Sequence, residues 1–236
     1  MSKITVEEFR NFFKYYKGEA HQQRGVDLLY KELDSKQLDH NSEWIQTYRT
    51  PDKAPAGKPV GGIVSSFLME QLTSYPASSF DDVFVNDCNR LFADTGFDKH
   101  LDAMQMLMAN CCHETAGFVY MKEIADGWAY EGRSDLGNTE PGDGPKYKGA
   151  GVLQLTGRYN YQRLANGIND QKVMDGVDYV STTYPFTSAR IWIEENRLLE
   201  VCLTQGFDAC CKRINGGVNG LEDRRNKYAI CKRYMV

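Results

Sequence analysis

The chain has 236 residues, 42% of them hydrophobic, and a formal net charge of −4. This length and composition supply a core for one large domain, or for one domain with a smaller appendage. No stretch approaches the ~18 apolar residues of a membrane span, and no nucleic-acid-binding motif is present, so we expect neither membrane insertion nor nucleic-acid binding.

The first 62 residues predict a helical segment that ends in a linker. Thr5 and Glu8 form a capping box, and the aromatic residues from Phe9 to Tyr16 have helical spacing. "GVDLLYKELDSK" and the residues around Trp44 predict two further helices. The stretch "PDKAPAGKPVGG", residues 51–62, contains three prolines and three glycines and is typical of a boundary. We therefore predict an N-terminal helical segment or subdomain over 1–62 and a second domain over 63–236.

The second domain is predicted to be mainly α, with at most a small β element. Pro185 suits the first position of a helix, and Asn219 suits the N-cap of the last one. The glycine-rich and proline-rich residues 132–151 predict a long loop, and "VLQLTG", residues 152–157, predicts a strand or extended segment. Apolar stripes with helical spacing recur along Phe80 to Leu91, Leu101 to Cys111, Tyr161 to Ile168, Phe186 to Ile193 and Phe207 to Ile214.

The motif "CCHETAGF", residues 111–118, places His113 and Glu114 at the end of one of these stripes, before a break at Gly117. The HExxH signature of zinc proteases needs a second histidine at position 117, which is a glycine, so the motif does not indicate a zinc protease. Adjacent cysteines lack the usual spacing of metal ligands, and we expect no metal site. Nucleophile elbows and phosphate-binding glycine loops are also absent from the sequence. Carboxylates remain as the candidates for chemistry.

Glu114 has a candidate partner in Glu123. On one continuous helix, nine residues would place the two side chains on opposite faces, about 13 Å apart along the axis. A break at Gly117 allows "FVYMKE" to fold back and present Glu123 across a cleft from Glu114. Two carboxyl groups roughly 6.5 to 9.5 Å apart, one acting as acid and one as base on water, are what inverting hydrolysis of a glycosidic bond requires.

Three motifs resemble the successive signatures of glycoside hydrolase family 19, which includes chitinases and phage endolysins. They are "HETAGF", "AYEGRSDLGNTEPGDGPKYKGAGVLQLTGRYNY" and "INGGVNGLEDR", and the resemblance spans residues 78 to 236. It implies a lysozyme-like α+β fold with a long substrate cleft, no cofactor, and hydrolysis with inversion. The domain over 63–236 would then be the catalytic domain.

The resemblance also implies roles for individual residues. Glu114 would be the general acid and Glu123 the general base, with Thr156 helping to hold the attacking water. An arginine, matched by Arg224, would stand beside Glu123 and keep it ionised. The implied substrate-binding residues are His113, Tyr147, Gln154, Tyr159, Asn160, Asn215 and Arg224.

Two positions qualify this assignment. Glu131 in "YEGR" is the rival for the second carboxylate, but the family pattern uses that glutamate to brace the fold. Ala150 stands where many relatives have an arginine, so a contact of that arginine is either lost or supplied by another residue such as Lys148.

The cysteines and the charge pattern bear on substrate and location. The seven cysteines are odd in number and lie largely at apolar positions, which predicts buried free thiols made in a cytoplasm. The N-terminus lacks the pattern of a secretion signal. Residues 212–233 hold seven basic residues and two acidic ones, which suits an anionic substrate but equally a solvated helix face.

These features favour a phage endolysin that cuts peptidoglycan glycan strands. We expect a monomer made in the host cytoplasm, released by a separate holin-like pore protein to act in the periplasm, or else carried by the virion. A chitinase, a lytic transglycosylase and a non-catalytic wall-binding protein remain the alternatives, and the pair of Glu123 and Thr156 favours hydrolysis over the last two.

Overall fold

The computed structural model describes residues 64–235. The predicted N-terminal helices, the "PDKAPAGKPVGG" linker and the boundary at 62 lie outside these residues. Within them the structure has ten α-helices: α1 (Ser66–Thr73), α2 (Asp82–Thr95), α3 (Leu101–Glu114), α4 (Asp143–Lys146), α5 (Arg158–Ile168), α6 (Val177–Thr183), α7 (Arg190–Glu195), α8 (Leu198–Gln205), α9 (Phe207–Asn215) and α10 (Leu221–Tyr234).

Short 3-10 helices and two isolated β-bridges complete the regular structure of the described residues. The 3-10 helices span Ala77–Ser79, Phe97–Lys99, Trp128–Tyr130, Ser134–Leu136, Gln171–Asp175 and Thr187–Ala189. Ala150 forms both antiparallel bridges, one with Lys122 and one with Leu155. The prediction of a mainly α fold with at most a small β element is confirmed.

Helix α3 is the centre of the larger hydrophobic core. Its residues 103–112 are all buried, because α3 is surrounded by other helices and packs along much of α10. Met104, Leu107 and Met108 are at most 1% exposed, and each contributes about 1.5–3 kcal/mol through burial. A second, smaller core forms around α5. The first core therefore fixes the C-terminal end of α3, where Glu114 lies.

Helix ends are set by short-range hydrogen bonds. The side chain of Asp81 accepts from the Phe84 N–H and caps α2, and Gly96 ends that helix with a φ of 74°.

The buried carboxylate of Asp87 accepts from the backbone N–H groups of Phe186 and Thr187 and from the Thr187 hydroxyl. These bonds tie the start of the Thr187–Ala189 turn to the middle of α2, and so join segments about 100 positions apart.

Three local predictions are wrong. Residues 152–157 form a tight turn rather than a strand, because Gln154 is left-handed (φ 53°) and only Leu155 joins a bridge. Pro185 lies in a turn before the 3-10 helix, where its carbonyl accepts from the Val152 N–H. The N-cap of α10 is Gly220 and not Asn219, because His113 packs against this position and a Cβ there would lie 2.3 Å from its ring.

Two other expectations concern the cysteines and membranes. All seven cysteines are free and buried, as predicted. No helix among residues 64–235 is long and apolar enough to cross a membrane.

Candidate active site

The chain reverses direction directly after Glu114, the last residue of α3. Three consecutive residues, Ala116, Gly117 and Phe118, have positive φ angles of 51°, 80° and 66°. The Gly117 N–H donates to the Cys112 carbonyl at 2.7 Å, which ends the helix in a left-handed cap. The predicted break at Gly117 is confirmed, and the following segment folds back until the Glu123 N–H reaches the Gly149 carbonyl at 2.9 Å.

Arg224 of α10 holds the carboxylate of Glu114. Its guanidinium donates to Glu114 Oε1 at 2.5 Å and to Asn110 Oδ1 at 2.7 Å. The arginine is 1% exposed, whereas the side chain of Glu114 is 29% exposed. A buried cation with a fixed fork of donors therefore orients a carboxylate that still reaches solvent.

The expected placement of Arg224 beside Glu123 is therefore corrected. The arginine pairs with Glu114, and its burial prevents direct contact with a substrate, so Arg224 is a positioning residue. Packing between α3 and α10 decides this pairing across 110 positions of sequence.

Glu123 is held by two donors. The Tyr130 hydroxyl donates to Oε1 at 3.0 Å, and the Gly149 N–H donates to Oε2 at 2.8 Å. Burial, followed by the hydrogen bond to Glu123, raises the pKa of the Tyr130 phenol, so this group remains a neutral donor at neutral pH. Both donors point at a carboxylate that is partly exposed, which suits a base that must meet water.

Gly149 allows the close approach of Glu123 and Gln154. A Cβ at this position would lie 2.4 Å from Gln154 Oε1 and 3.0 Å from Glu123 Oε2. The turn that follows carries two more predicted residues, since Thr156 donates its hydroxyl hydrogen to the Gln154 carbonyl and Asn160 donates to the Thr156 carbonyl. The structure thus links Glu123, Gln154, Thr156 and Asn160 into one polar surface.

The remaining predicted substrate-binding residues lie in different environments. His113 pairs with Asp223, with Nδ1 and Oδ2 2.6 Å apart, and Asn215 donates to the Asn219 carbonyl at 3.3 Å. Tyr159 is 60% exposed at the start of α5, with the Arg163 guanidinium over its ring. Tyr147 is only 1% exposed and packs in the smaller core, so its prediction as a substrate-binding residue is wrong.

Lys148 does not supply the contact of the arginine that many relatives have at the position of Ala150. Its ammonium group donates to the Ala125 carbonyl at 2.6 Å and braces the segment after Glu123. Ala150 is fully buried and forms one β-bridge with Lys122 and one with Leu155.

Several supporting residues were not recognised from the sequence. Tyr130 holds Glu123, while Asn138, Asp143 and Arg158 stabilise the loop between Glu131 and α5. Arg158 makes a bidentate ion pair with the buried Asp143, at 2.5 and 2.7 Å. The many polar residues of this loop indicated that it is held by hydrogen bonds, but they did not indicate that Arg158 pairs with Asp143.

Glu131 braces the same loop, as the family pattern implies. Its two carboxylate oxygens accept from the backbone N–H groups of Gly142 and Gly144 at 2.7 and 2.8 Å. Both oxygens are engaged with the backbone, which favours Glu123 as the second carboxylate of the site.

Replacing Glu131 with glutamine should lower stability. The amide retains one acceptor oxygen, so one of the two glycine N–H groups loses its partner at a cost of about 1–3 kcal/mol. Thermal unfolding of Glu131→Gln should show a lower Tm than the parent protein. Glu140→Gln, in the same loop, is the matched control and should leave the Tm unchanged; equal Tm values for all three proteins would contradict the bracing role.

Two open pockets flank this region. One, of about 150 Å³, is bordered by Gln154, Thr156, Asn160, Trp192 and Glu195, among others. The other, of about 390 Å³, includes His113 in its wall. Residues 64–235 contain no group of three or more His, Cys, Asp or Glu side chains able to hold a metal ion.

Comparisons with known proteins give relatives in sequence and in fold. No family model matches the chain. A glycosyl hydrolase family 19 domain-containing protein of Haemophilus influenzae is 27% identical, over 52% of this chain and 75% of that protein. An endochitinase of Arabidopsis thaliana is 35% identical, over 55% of this chain and 47% of that protein. The chain thus spans about half the length of the plant relative.

Solved structures show the same fold. Chitinase C from Streptomyces griseus matches with a TM-score of 0.54 and 18% identity, over 76% of this chain and 80% of that one. A bacterial family 19 chitinase matches with a TM-score of 0.56 and 16% identity, over 72% and 94%. The chain is thus similar in sequence to proteins of glycoside hydrolase family 19, the chitinase-like family, and it shares their mainly α fold.

Proposed function

We propose that the chain hydrolyses β-1,4 glycosidic bonds with inversion, using Glu114 as general acid and Glu123 as general base. The observation that carries this proposal is the position of the two carboxylates. They lie at the two ends of a segment that reverses direction at residues 116–118, and separate donors orient them: Arg224 for Glu114, and Tyr130 with Gly149 for Glu123.

In the proposed reaction, Arg224 holds Oε1 of Glu114, and a proton on Oε2 passes to the oxygen of the leaving sugar as the bond from that oxygen to the anomeric carbon breaks. Glu123 accepts a proton from a water molecule, which attacks the same carbon from the opposite face. The Thr156 hydroxyl, already donating to the Gln154 carbonyl, retains lone pairs that can accept from this water. Arg224 then faces the carboxylate that Glu114 has become.

We propose peptidoglycan as the substrate and host-cell lysis as the role. The protein would act as a monomeric endolysin in the periplasm, after passage through a holin-like pore or delivery by the virion. The basic residues along α10 and the charged pocket beside His113 support an ionic glycan. The competing candidate is a chitinase, which the names of the plant relatives favour.

Product analysis tests the reaction and the substrate together. The protein is incubated with purified peptidoglycan and, separately, with oligomers of N-acetylglucosamine. Mass spectrometry identifies the bond cut, and proton NMR of the first product shows its anomeric form. Inverting hydrolysis predicts reducing ends of the α form. Anhydro ends would indicate a transglycosylase, and turnover of the N-acetylglucosamine oligomers alone would indicate a chitinase.

Removal of the N-terminal residues should leave bond cleavage intact. Each candidate catalytic residue lies after position 63, so a protein that begins at residue 63 should cut soluble peptidoglycan fragments at a rate close to that of the full chain. Its affinity for whole cell walls is expected to fall. A truncated protein that is folded by circular dichroism yet inactive on soluble fragments would show that residues 1–62 build part of the site.

A further inference from the structure

The larger pocket lies at the C-terminal end of α3, where His113, Ala116 and Gly117 contribute to its wall. Its volume is about 390 Å³, within the ~300–1,000 Å³ range of small-molecule sites. His113, the neighbour of Glu114 in the chain, contributes to its wall, as do Asp223 and Lys227 on the helix that carries Arg224. The remaining walls are Leu72, Thr73, Tyr75, Ala116 and Gly117.

Three ionisable side chains meet in this pocket. Asp223 accepts from His113 at 2.6 Å and lies 3.6 Å from the Lys227 ammonium group. Half of the Asp223 side chain and 17% of the Lys227 side chain are exposed, so both charges border the open space. Lys227 also hydrogen-bonds the buried Cys112 thiol. An ammonium group has three donors, and these two neighbours leave one for a ligand, while the half-exposed Asp223 carboxylate can accept.

The other side of the pocket is apolar and shaped by backbone conformation. Tyr75 is 46% exposed, and Leu72, near the end of α1, also lines the pocket. Gly117 is left-handed, and a Cβ there would be in ordinary contact with Thr73 and Tyr75, at 3.6 to 3.8 Å. The pocket thus combines a small apolar wall with paired opposite charges.

We propose that this pocket binds the stem peptide that peptidoglycan carries on its lactyl ether, with Lys227 binding a peptide carboxylate. The inference rests on the proposed function, because the pocket is lined by His113 and Ala116, which flank the proposed general acid Glu114 in the chain. A peptide supplies small apolar side chains, amide groups and carboxylates, which match the three kinds of surface in the pocket. A chitin chain has no charged group to pair with Lys227 or Asp223.

Binding of two soluble ligands tests this inference without requiring hydrolysis. The ligands are the disaccharide of N-acetylglucosamine and N-acetylmuramic acid carrying a tetrapeptide, and the same disaccharide with the peptide removed. Isothermal titration calorimetry of the full chain should give a roughly tenfold lower Kd for the peptide-bearing ligand, as expected for a charge-assisted contact. Lys227→Met should bring the ratio of the two Kd values close to one.

Three further variants complete the experiment. Lys232→Met removes an exposed lysine from the same helix and should retain the tenfold ratio, while Lys227→Arg should restore most of it. Tyr75→Ser, at an exposed position, should lower the ratio without loss of fold, which covers the case of an unfolded Lys227→Met protein. Equal Kd values for the two ligands on the parent protein would overturn the inference. Absence of hydrolysis with the tenfold ratio intact would overturn only the proposed function.

Discussion

Glu114→Gln should lose nearly all turnover on peptidoglycan while the protein remains folded. The amide has no proton to give to the leaving oxygen, and general acid catalysis contributes roughly 10²–10⁴-fold to rate. In the parent protein, the Arg224 guanidinium donates to Glu114 Oε1 and to Asn110. The amide oxygen of the variant can still accept from Arg224. Helix α3 is buried over the ten residues that end at Cys112, so its packing does not depend on this side chain.

The measurement is the fall in turbidity of bacterial cells stripped of their outer membrane, together with the Tm of each purified variant. Glu140→Gln, at an exposed loop position, is the control and should lyse cells at the parent rate. If Glu114→Gln also lysed cells at close to the parent rate, Glu114 would be an ordinary charged residue at a helix end.

Glu123→Gln should be about as severe, with a loss of roughly 10²–10⁴-fold, because the variant has no carboxylate to take a proton from water. The Gly149 N–H can only donate, so the amide oxygen should face it and the amide nitrogen should face Tyr130. The Tyr130 hydroxyl can turn to accept this hydrogen bond, because a hydroxyl both donates and accepts. The local structure is therefore expected to survive the substitution.

The hydrolysis rate of soluble glycan oligomers, measured by chromatography, is the appropriate test. The Tm should change little, in contrast to the drop expected for Glu131→Gln. Retention of most activity by Glu123→Gln, with loss of activity in Glu131→Gln at an unchanged Tm, would reverse the roles of these two glutamates.

Several helices and one chain break could be predicted from residue spacing alone. The stripes over α2, α3, α5 and α9 were predicted from spacing, because an amphipathic helix repeats its buried face every 3.6 residues. The break at Gly117 was also predictable, since a glycine after an apolar helix accepts the left-handed conformation easily.

Backbone conformations that depend on neighbours were not predictable. Gln154 is left-handed although it is not a glycine, and its side chain fills the space over Gly149 that a Cβ would occupy. The short segment "VLQLTG" was predicted to be a strand or extended, whereas the structure has a turn there. Pro185 and Asn219 were misplaced for a similar reason, since Val152 and His113 come to these positions from distant parts of the chain.

The partners of the site residues depend on contacts between helices that are distant in sequence. Arg224 and Glu114 are 110 positions apart, and Tyr147, which follows α4, is buried, whereas Tyr159, at the start of α5, is exposed. Periodicity reports how a residue relates to its neighbours in sequence, whereas ion pairs and burial depend on which helices pack together. The packing of α10 against α3 therefore directs Arg224 to Glu114 and leaves Tyr130 and Gly149 to hold Glu123.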